Sequence, residues 1–180
     1  LAAKFTKEFC NLPDSEEDIM AEWMEAAQHA YGHTIPLKPG VWSFLKRCAD
    51  AGYEMYIYTS CEEPLCLAAL AHHQILRYFR DIFFVRKLNI EKSKPEGFLW
   101  VAEQMNTVPS DILFFDDSPV ACQGACTAGM QVVACCDELF AQHRPELEQL
   151  CDGVTDYSRY AAADTLSRGY LTARGGFRIG

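Results

Sequence analysis

The chain has 180 residues, of which 49% are hydrophobic and 23% are charged, a composition typical of a folded globular domain. Its formal net charge of −9 argues against nucleic acid as a partner, because the phosphate backbone attracts a basic surface. No run of residues is long and apolar enough to cross a membrane, and no signal peptide is recognisable. We therefore expect a cytoplasmic protein that binds neither nucleic acid nor a membrane.

The N-terminal segment, residues 1–31, has the periodicity of helices. Leu1, Phe5 and Phe9 recur at four-residue spacing, and a second apolar stripe follows further along the chain. That second stripe consists of Trp23, Ala27 and Tyr31. We interpret it as a face that packs against another helix.

From residue 36 onward, short apolar strands alternate with amphipathic helices. The predicted strands are Met55–Tyr58, Ile82–Val85, Ile112–Phe115, Gln131–Cys135 and, at an edge, Gly153–Thr155. The predicted helices are Val41–Ala51, Leu65–Gln74, Phe98–Met105, Pro119–Gly129 and Pro145–Cys151. This alternation predicts a doubly wound parallel α/β sheet. The tail, residues 161–180, shows no periodicity and is expected to have little fixed structure.

Two adjacent carboxylates, Asp116 and Asp117, follow the aromatic-rich strand Ile112–Phe115. In open α/β sheets this end of a strand borders the ligand crevice. Neighbouring carboxylates repel each other and are costly to hold near a dry core. A divalent cation relieves both problems, and hard oxygen ligands suit Mg²⁺. The pair predicts a Mg²⁺ site, although a polar turn after a strand gives the same pattern.

Two further segments carry groups that suit an anion. Thr59 and Ser60 follow the strand Met55–Tyr58, and a strand-to-helix turn offers hydroxyls and backbone N–H groups. Lys94 lies directly before Pro95, where another predicted helix begins. Each segment alone is a weak signal, because a hydroxyl after a strand often only caps a helix and a loop lysine is usually solvated.

The ordered set of these segments resembles the haloacid dehalogenase-like hydrolase superfamily, in its phosphatase and phosphomutase branch. The resemblance covers residues 35–160. It implies a Rossmannoid core over residues 36–160 and part of a helical cap over residues 1–35. It also implies roles for five residues. Thr59 and Ser60 would bind phosphate, Lys94 would offset charge on the phosphoryl oxygens, and Asp116 and Asp117 would bind Mg²⁺.

The family's nucleophile, the first aspartate of an Asp-x-Asp motif after the first strand, has no counterpart in this chain. The early carboxylates between Asp14 and Asp18 follow no apolar strand and are typical of a helix N-cap. In the resembled fold the missing strand is central, so Met55–Tyr58 and Ile112–Phe115 would face a gap with unpaired backbone groups. We expect either a fragment of a longer protein or a truncated protein that has lost catalysis.

The nine cysteines show no paired Cys-x₂-Cys spacing with matching histidines, so a structural zinc site is weakly supported. A disulfide framework is not expected in an α/β domain of this size, and we interpret most of the cysteines as small core residues in a reducing compartment. Cys61 is an exception, because it would lie at the mouth of the phosphate site.

The resemblance implies a Mg²⁺-dependent phosphatase that acts on a small phosphorylated metabolite through an aspartyl-phosphate intermediate, with the nucleophile outside this chain. A sugar-phosphate mutase would use the same site. A noncatalytic phosphate-binding module of the same fold is the alternative from another class. A dehalogenase is a weaker alternative, because that chemistry needs no metal and does not account for the adjacent Asp116 and Asp117.

Overall fold

The computed structural model describes residues 2–136 and 138–157. The chain divides into two compact units, one from residues 1–36 and 61–76, the other from residue 37 to 60 and from residue 77 onward. The first segment of the helical unit ends at residue 36, and its assignment as part of a cap stays a prediction. Residues 61–76, which we had grouped with the core, cluster instead with the N-terminal helices.

The first unit is helical. It contains α1 (Ala2–Cys10), α2 (Glu16–His29), a π-helical turn (Ala30–Thr34) and α4 (Glu63–His72). The helical region predicted over residues 1–31 is therefore interrupted after Cys10, because Asn11 has a left-handed backbone (φ 51°) that ends α1. A capping box then starts α2, since the Ser15 hydroxyl accepts from the Asp18 N–H at 3.0 Å and Asp18 Oδ2 accepts from the Ser15 N–H at 3.3 Å.

The second unit carries every described strand. The strands are β1 (Tyr56–Thr59), β2 (Asp81–Phe84), β3 (Leu113–Asp116), β4 (Gln131–Cys135) and β5 (Gly153–Thr155). The helices of this unit are α3 (Val41–Asp50), α5 (Val85–Leu88), α6 (Pro95–Gln104), α7 (Pro119–Thr127) and α8 (Arg144–Leu150). Among the described residues, no helix has both the length and the apolar character needed to span a membrane.

All strand pairs are parallel, but the described strands form two sheets rather than one. β1 pairs with β2, and β3, β4 and β5 form a separate sheet in that order. The strands β1 and β3, which we expected to flank a gap, are not paired with each other in the described structure. The parallel α/β architecture is thus confirmed, and its sheet is divided at the predicted position.

A compact apolar core lies around the three-stranded sheet. Phe98 of α6, Cys122 and Ala125 of α7, Val132 of β4 and Leu147 of α8 are almost inaccessible to solvent. The Phe98 ring also lies 5.1 Å, between ring centroids, from both Tyr58 of β1 and Phe114 of β3. Side-chain packing on α6 therefore connects the two sheets where backbone pairing does not.

Two glycines let α6 and α7 approach their neighbours closely. A Cβ on Gly97 would lie 2.2 Å from the Tyr58 hydroxyl, which is buried without a hydrogen-bond partner. A Cβ on Gly124 would lie 2.7 Å from Phe98 Cε2 and 3.0 Å from the backbone carbonyl oxygen of Lys92. The loop that carries Lys92 therefore rests directly on α7.

Substitution of Gly124 by alanine should destabilise the chain. Alanine favours a helix by up to about 1 kcal/mol over glycine, but overpacking against backbone costs about 1–3 kcal/mol. We expect half of the helical circular dichroism signal to be lost at a lower urea concentration. Gly153→Ala is the control, because a Cβ there meets nothing within 4 Å. An unchanged midpoint for Gly124→Ala would contradict the close approach of α7 to the Lys92 loop.

Candidate active site

The polar residues of the candidate site lie at the carboxyl ends of parallel strands. Asp116 ends β3 and Thr59 ends β1, while Asp117 and Ser118 form the turn into α7. Pro119 occupies the first turn of α7, where a missing N–H is tolerated. The local sequence thus ends the strand at the acidic pair and starts a helix at once.

Asp116 is held by two contacts that use both of its carboxylate oxygens. Oδ1 accepts a hydrogen bond from the Ser118 N–H at 2.9 Å, and Oδ2 accepts one from Lys92 Nζ at 2.6 Å. The side chains of Asp116 and Lys92 are only 12% and 19% exposed. A charge-assisted hydrogen bond with this little solvent requires both partners, because removal of one leaves a buried charge unpaired.

Asp117 has its own cationic partner. Its Oδ2 accepts from Lys38 Nζ at 2.6 Å, with side chains 32% and 37% exposed. Lys38 lies just before α3, 79 residues away from Asp117 in sequence. Each carboxylate is therefore matched by one ammonium group, which relieves the repulsion between the two negative charges.

Lys92 also lies between aromatic rings from the two sheets. Its Nζ is 5.8 Å from the ring centroid of Tyr58 on β1 and 5.6 Å from that of Phe114 on β3. Both distances are within the range of a cation–π attraction. Lys92 thus lies between the strand that ends in Thr59 and the strand that ends in Asp116.

The structure places some of the predicted site residues where we expected them and others elsewhere. Thr59, Asp116 and Asp117 lie at strand ends as expected. The backbone carbonyl of Ser60 accepts from Arg86 Nε at 3.4 Å, and Ser60 is exposed. Lys94 is exposed and serves as the N-cap residue of α6 with an extended backbone (φ −95°, ψ 134°).

The lysine that contacts the acidic pair from this loop is therefore Lys92 rather than Lys94. We had placed Lys94 at the site because it directly precedes Pro95. The structure differs because α6 begins at Pro95, and the residue two positions before its N-cap reaches Asp116. A catalytic role for Lys94 stays an untested prediction. Lys38 carried no recognisable signal, since a lysine before Pro39-Gly40 is typical of any polar turn.

Tyr157 is half-buried near the acidic pair. Its ring centroid lies 5.2 Å from that of Phe44 and 6.5 Å from that of Phe115. Burial first, and then the neighbouring Cys135 and the carboxylates, raise the pKa of Tyr157 well above its ordinary value. The phenol therefore stays neutral at physiological pH and cannot act as a base there.

The donor chemistry of Asp116 and Asp117 fits Mg²⁺ better than a zinc site. Mg²⁺ is usually held by one or two carboxylates while it keeps several waters. Within residues 2–136 and 138–157, no group of three or more His, Cys, Asp or Glu side chains is arranged to hold a metal. Structural zinc requires four protein ligands, so the described residues do not suit it.

Sequence comparison supplies the deciding observation. Residues 4–135 match the family described as haloacid dehalogenase-like hydrolase, which is well over half of the chain. The chain belongs to this family. The resemblance inferred from the acidic pair and its neighbouring motifs is confirmed.

Relatives within this hydrolase family are named as phosphatases. The chain is 25% identical over 124 residues to the phosphorylated carbohydrates phosphatase of Thermotoga maritima, a match that covers 69% of this chain and 57% of that protein. It is 30% identical over 117 residues to a phosphoglycolate phosphatase of Pseudomonas putida, over 65% of this chain and 43% of that protein. The chain thus spans about half the length of these relatives.

Structural comparison agrees on the fold. A Thermotoga maritima protein assigned as a β-phosphoglucomutase superposes with a TM-score of 0.75 at 21% identity, over 88% of this chain and 74% of that one. At this identity the likeness establishes the haloacid dehalogenase-like α/β fold and nothing about the substrate.

Proposed function

We propose that the chain supplies the metal- and phosphate-binding core of a Mg²⁺-dependent phosphatase that acts on a small phosphorylated metabolite. The observation that carries the proposal is the pair of carboxylates at the end of β3, each matched by a lysine. Two cations and two anions at the carboxyl ends of parallel strands suit a phosphate together with a divalent ion. The phosphatase names of the relatives support the same reaction class.

In this proposal Asp117 and Asp116 hold Mg²⁺. The bound ion would neutralise negative charge on the phosphoryl oxygens. Thr59, with the backbone N–H groups near Ser60, would hold a nonbridging oxygen. Lys92 would place a positive charge next to the phosphoryl group from the partly dehydrated position between Tyr58 and Phe114, where electrostatic attraction is stronger than in water.

The covalent route needs a nucleophile, and we propose that it comes on an additional strand. The proposal assigns both carboxylates of the described site to Mg²⁺, so neither is left to attack phosphorus. β1 and β3 both run parallel to their neighbours, and neither pairs with the other. A parallel strand between them would bring an aspartate at its carboxyl end to the same edge as Thr59 and Asp116.

A noncatalytic phosphate-binding module is the second candidate. It is favoured by one observation, that this sequence contains no Asp-x-Asp motif to supply the nucleophile. Phosphate binding is common to both candidates, and turnover separates them. Hydrolysis by the chain joined to a strand that ends in Asp-x-Asp supports the phosphatase. Phosphate binding without turnover in that joined protein supports the module.

Lysine substitutions test whether Lys92 or Lys94 contacts the bound phosphate. We expect Lys92→Met to weaken binding of inorganic phosphate in the presence of Mg²⁺ by about tenfold or more, on the order of the loss of one charge-assisted hydrogen bond. Methionine keeps an unbranched apolar side chain between Tyr58 and Phe114 and removes the charge. Isothermal titration calorimetry gives the affinity.

Lys94→Met is the matched control for this experiment. Lys94 is exposed, so its loss should change the phosphate affinity by less than about twofold, as for other solvated charges. A larger loss for Lys94→Met than for Lys92→Met would contradict the role given to Lys92. It would support the original assignment from sequence.

A further inference from the structure

Three cysteines meet where α7 packs against the end of α8. Cys122 and Cys126 lie four residues apart on α7 and therefore share one face of that helix. Cys151 follows directly after the last residue of α8, and its N–H donates to the Leu147 carbonyl at 2.9 Å. All three pack in the same apolar core, and all are reduced.

Hydrogen bonds connect the three thiols. Cys151 interacts with both Cys122 and Cys126. Cys126 Sγ also lies 3.5 Å from the backbone carbonyl oxygen of Leu150, the residue next to Cys151. Cys122 Sγ also lies 3.7 Å from the backbone carbonyl oxygen of Asp116.

The three cysteine residues differ in their exposure to solvent. Cys122 is fully inaccessible, whereas Cys126 and Cys151 are partly exposed. Cys126 and Cys151 therefore lie at the edge of the core, on the side from which a small oxidant would arrive. Cys122 is the most deeply buried of the three.

The surroundings also separate the acidities of the two accessible thiols. The hydrogen bond from Cys122 lowers the pKa of Cys151, against the opposing effects of burial and Asp152. Burial raises the pKa of Cys126 to about 11. The thiolate is the reactive form of cysteine, so Cys151 is the more nucleophilic sulfur at neutral pH.

We infer that Cys151 and Cys126 form a reversible redox pair in which Cys151 reacts with a peroxide and Cys126 closes a disulfide. The Cys151 thiolate attacks one peroxide oxygen, the O–O bond breaks, and the other oxygen leaves as hydroxide, which takes a proton to become water. Cys151 is then a sulfenic acid. The Cys126 sulfur attacks the Cys151 sulfur, an S–S bond forms, and the S–OH oxygen leaves as a second water with the Cys126 proton. Two thiols are oxidised by two electrons in total, and one peroxide is reduced.

Cys126 is the resolving residue because of its position. It contacts the residue adjacent to Cys151 and is partly exposed, whereas Cys122 is fully buried. Closing this bridge links the C-terminal turn of α7 to the connection between α8 and β5. The inference does not depend on phosphatase activity, since none of these thiols is assigned to phosphate or metal binding.

The test is disulfide mapping of the full chain after exposure to hydrogen peroxide. Unreacted thiols are alkylated, and the protein is cut with endoproteinase Glu-C. Trypsin is unsuitable, because Lys94 and Arg144 both precede prolines and Cys126 and Cys151 then stay on one peptide. Cleavage after Glu103, Glu138 and Glu148 separates them. We expect a linked pair of peptides that dithiothreitol separates.

Single substitutions assign the bridge, because the same peptide also carries Cys122, Cys135 and Cys136. The linkage should disappear in Cys126→Ser and in Cys151→Ser, and it should persist in Cys122→Ala. Cys48→Ser is the matched control, since Cys48 is also partly exposed and burial raises its pKa to about 11. Its loss should leave the linkage unchanged. A bridge that persists in Cys126→Ser, or oxidation of Cys151 to sulfinic acid without any bridge, would overturn the inference.

The pH dependence of alkylation provides a second readout. Because the folded pKa of Cys151 is lowered, its reaction with iodoacetamide should reach half its maximal rate at a lower pH than that of an ordinary cysteine. Cys122→Ala removes the main cause of that lowering, so the midpoint should move to higher pH. A midpoint that does not move would contradict the activation of Cys151 by Cys122.

Discussion

Asp117→Asn is expected to abolish most Mg²⁺ binding by the chain while the fold stays intact. Asparagine keeps the shape of the side chain but removes the charge that attracts a hard cation. We expect the Mg²⁺ affinity to fall by about tenfold or more. In a complete enzyme, turnover should fall by about a hundredfold or more, as when other groups that stabilise transition-state charge are removed.

Asp117 is a better probe of the metal site than Asp116. Its partner Lys38 is 37% exposed, so water can solvate the ammonium group when the carboxylate is lost. Lys92, the partner of Asp116, is only 19% exposed, and loss of Asp116 would leave a largely buried charge unpaired. Asp116→Asn therefore mixes effects on metal binding and folding.

Calorimetric titration with Mg²⁺ and a thermal melt separate these effects for Asp117→Asn. Asp111→Asn is the control, since Asp111 is an exposed carboxylate shortly before β3. Wild-type Mg²⁺ affinity in Asp117→Asn would contradict the metal site. Full turnover of a phosphate ester by a complete enzyme in excess chelator would contradict the need for the ion.

The isolated chain is expected to show no hydrolysis of phosphate esters that is attributable to this site. In the proposed function its groups bind phosphate and metal, and both carboxylates at the site hold the ion rather than attack phosphorus. If the nucleophile lies on the additional strand that we propose, the chain alone lacks the covalent route, and its binding groups should give only slight catalysis. p-Nitrophenyl phosphate with Mg²⁺ is a suitable assay. Robust turnover that Asp117→Asn abolishes would show that another residue attacks.

We also expect the isolated chain to unfold without a sharp transition. Among the described strands, β1 pairs only with β2 and β3 only with β4, and a strand edge that is buried without a partner strand is costly. An apolar peptide that ends in Asp-x-Asp should bind there and sharpen the thermal melt, because it pairs with both edges. A scrambled peptide of the same composition is the control. A sharp cooperative melt of the chain alone would count against this account.

Local sequence patterns predicted most elements of the α/β unit. β4 at Gln131–Cys135 and β5 at Gly153–Thr155 have the predicted limits, and β3 is shifted by one residue so that it includes Asp116. Apolar runs bounded by glycine, proline or aspartate define such strands well. Ser15 and Asp18 likewise formed the expected N-terminal cap.

Long-range contacts were harder to predict than the elements themselves. Lys38 reaches Asp117 across 79 residues, and no local pattern distinguishes it from a solvated lysine. Lys92 and Lys94 differ only in position relative to the start of α6, which decides which of them reaches Asp116. The helix α4 packs with the N-terminal helices, although its position in the chain favoured the core. The predicted tail at residues 161–180 lies outside the described residues.

The division of the sheet also has a consequence for the behaviour of the chain at high concentration. Natural edge strands usually carry lysine, proline or bulges that prevent pairing between molecules. β1 (Tyr-Ile-Tyr-Thr) and β3 (Leu-Phe-Phe-Asp) carry neither lysine nor proline, and Asp116 is their one charged residue. Two copies of the chain can therefore pair edge to edge through these strands. We expect covering of β1 and β3 by a further strand to reduce association between copies of the chain, which light scattering measures.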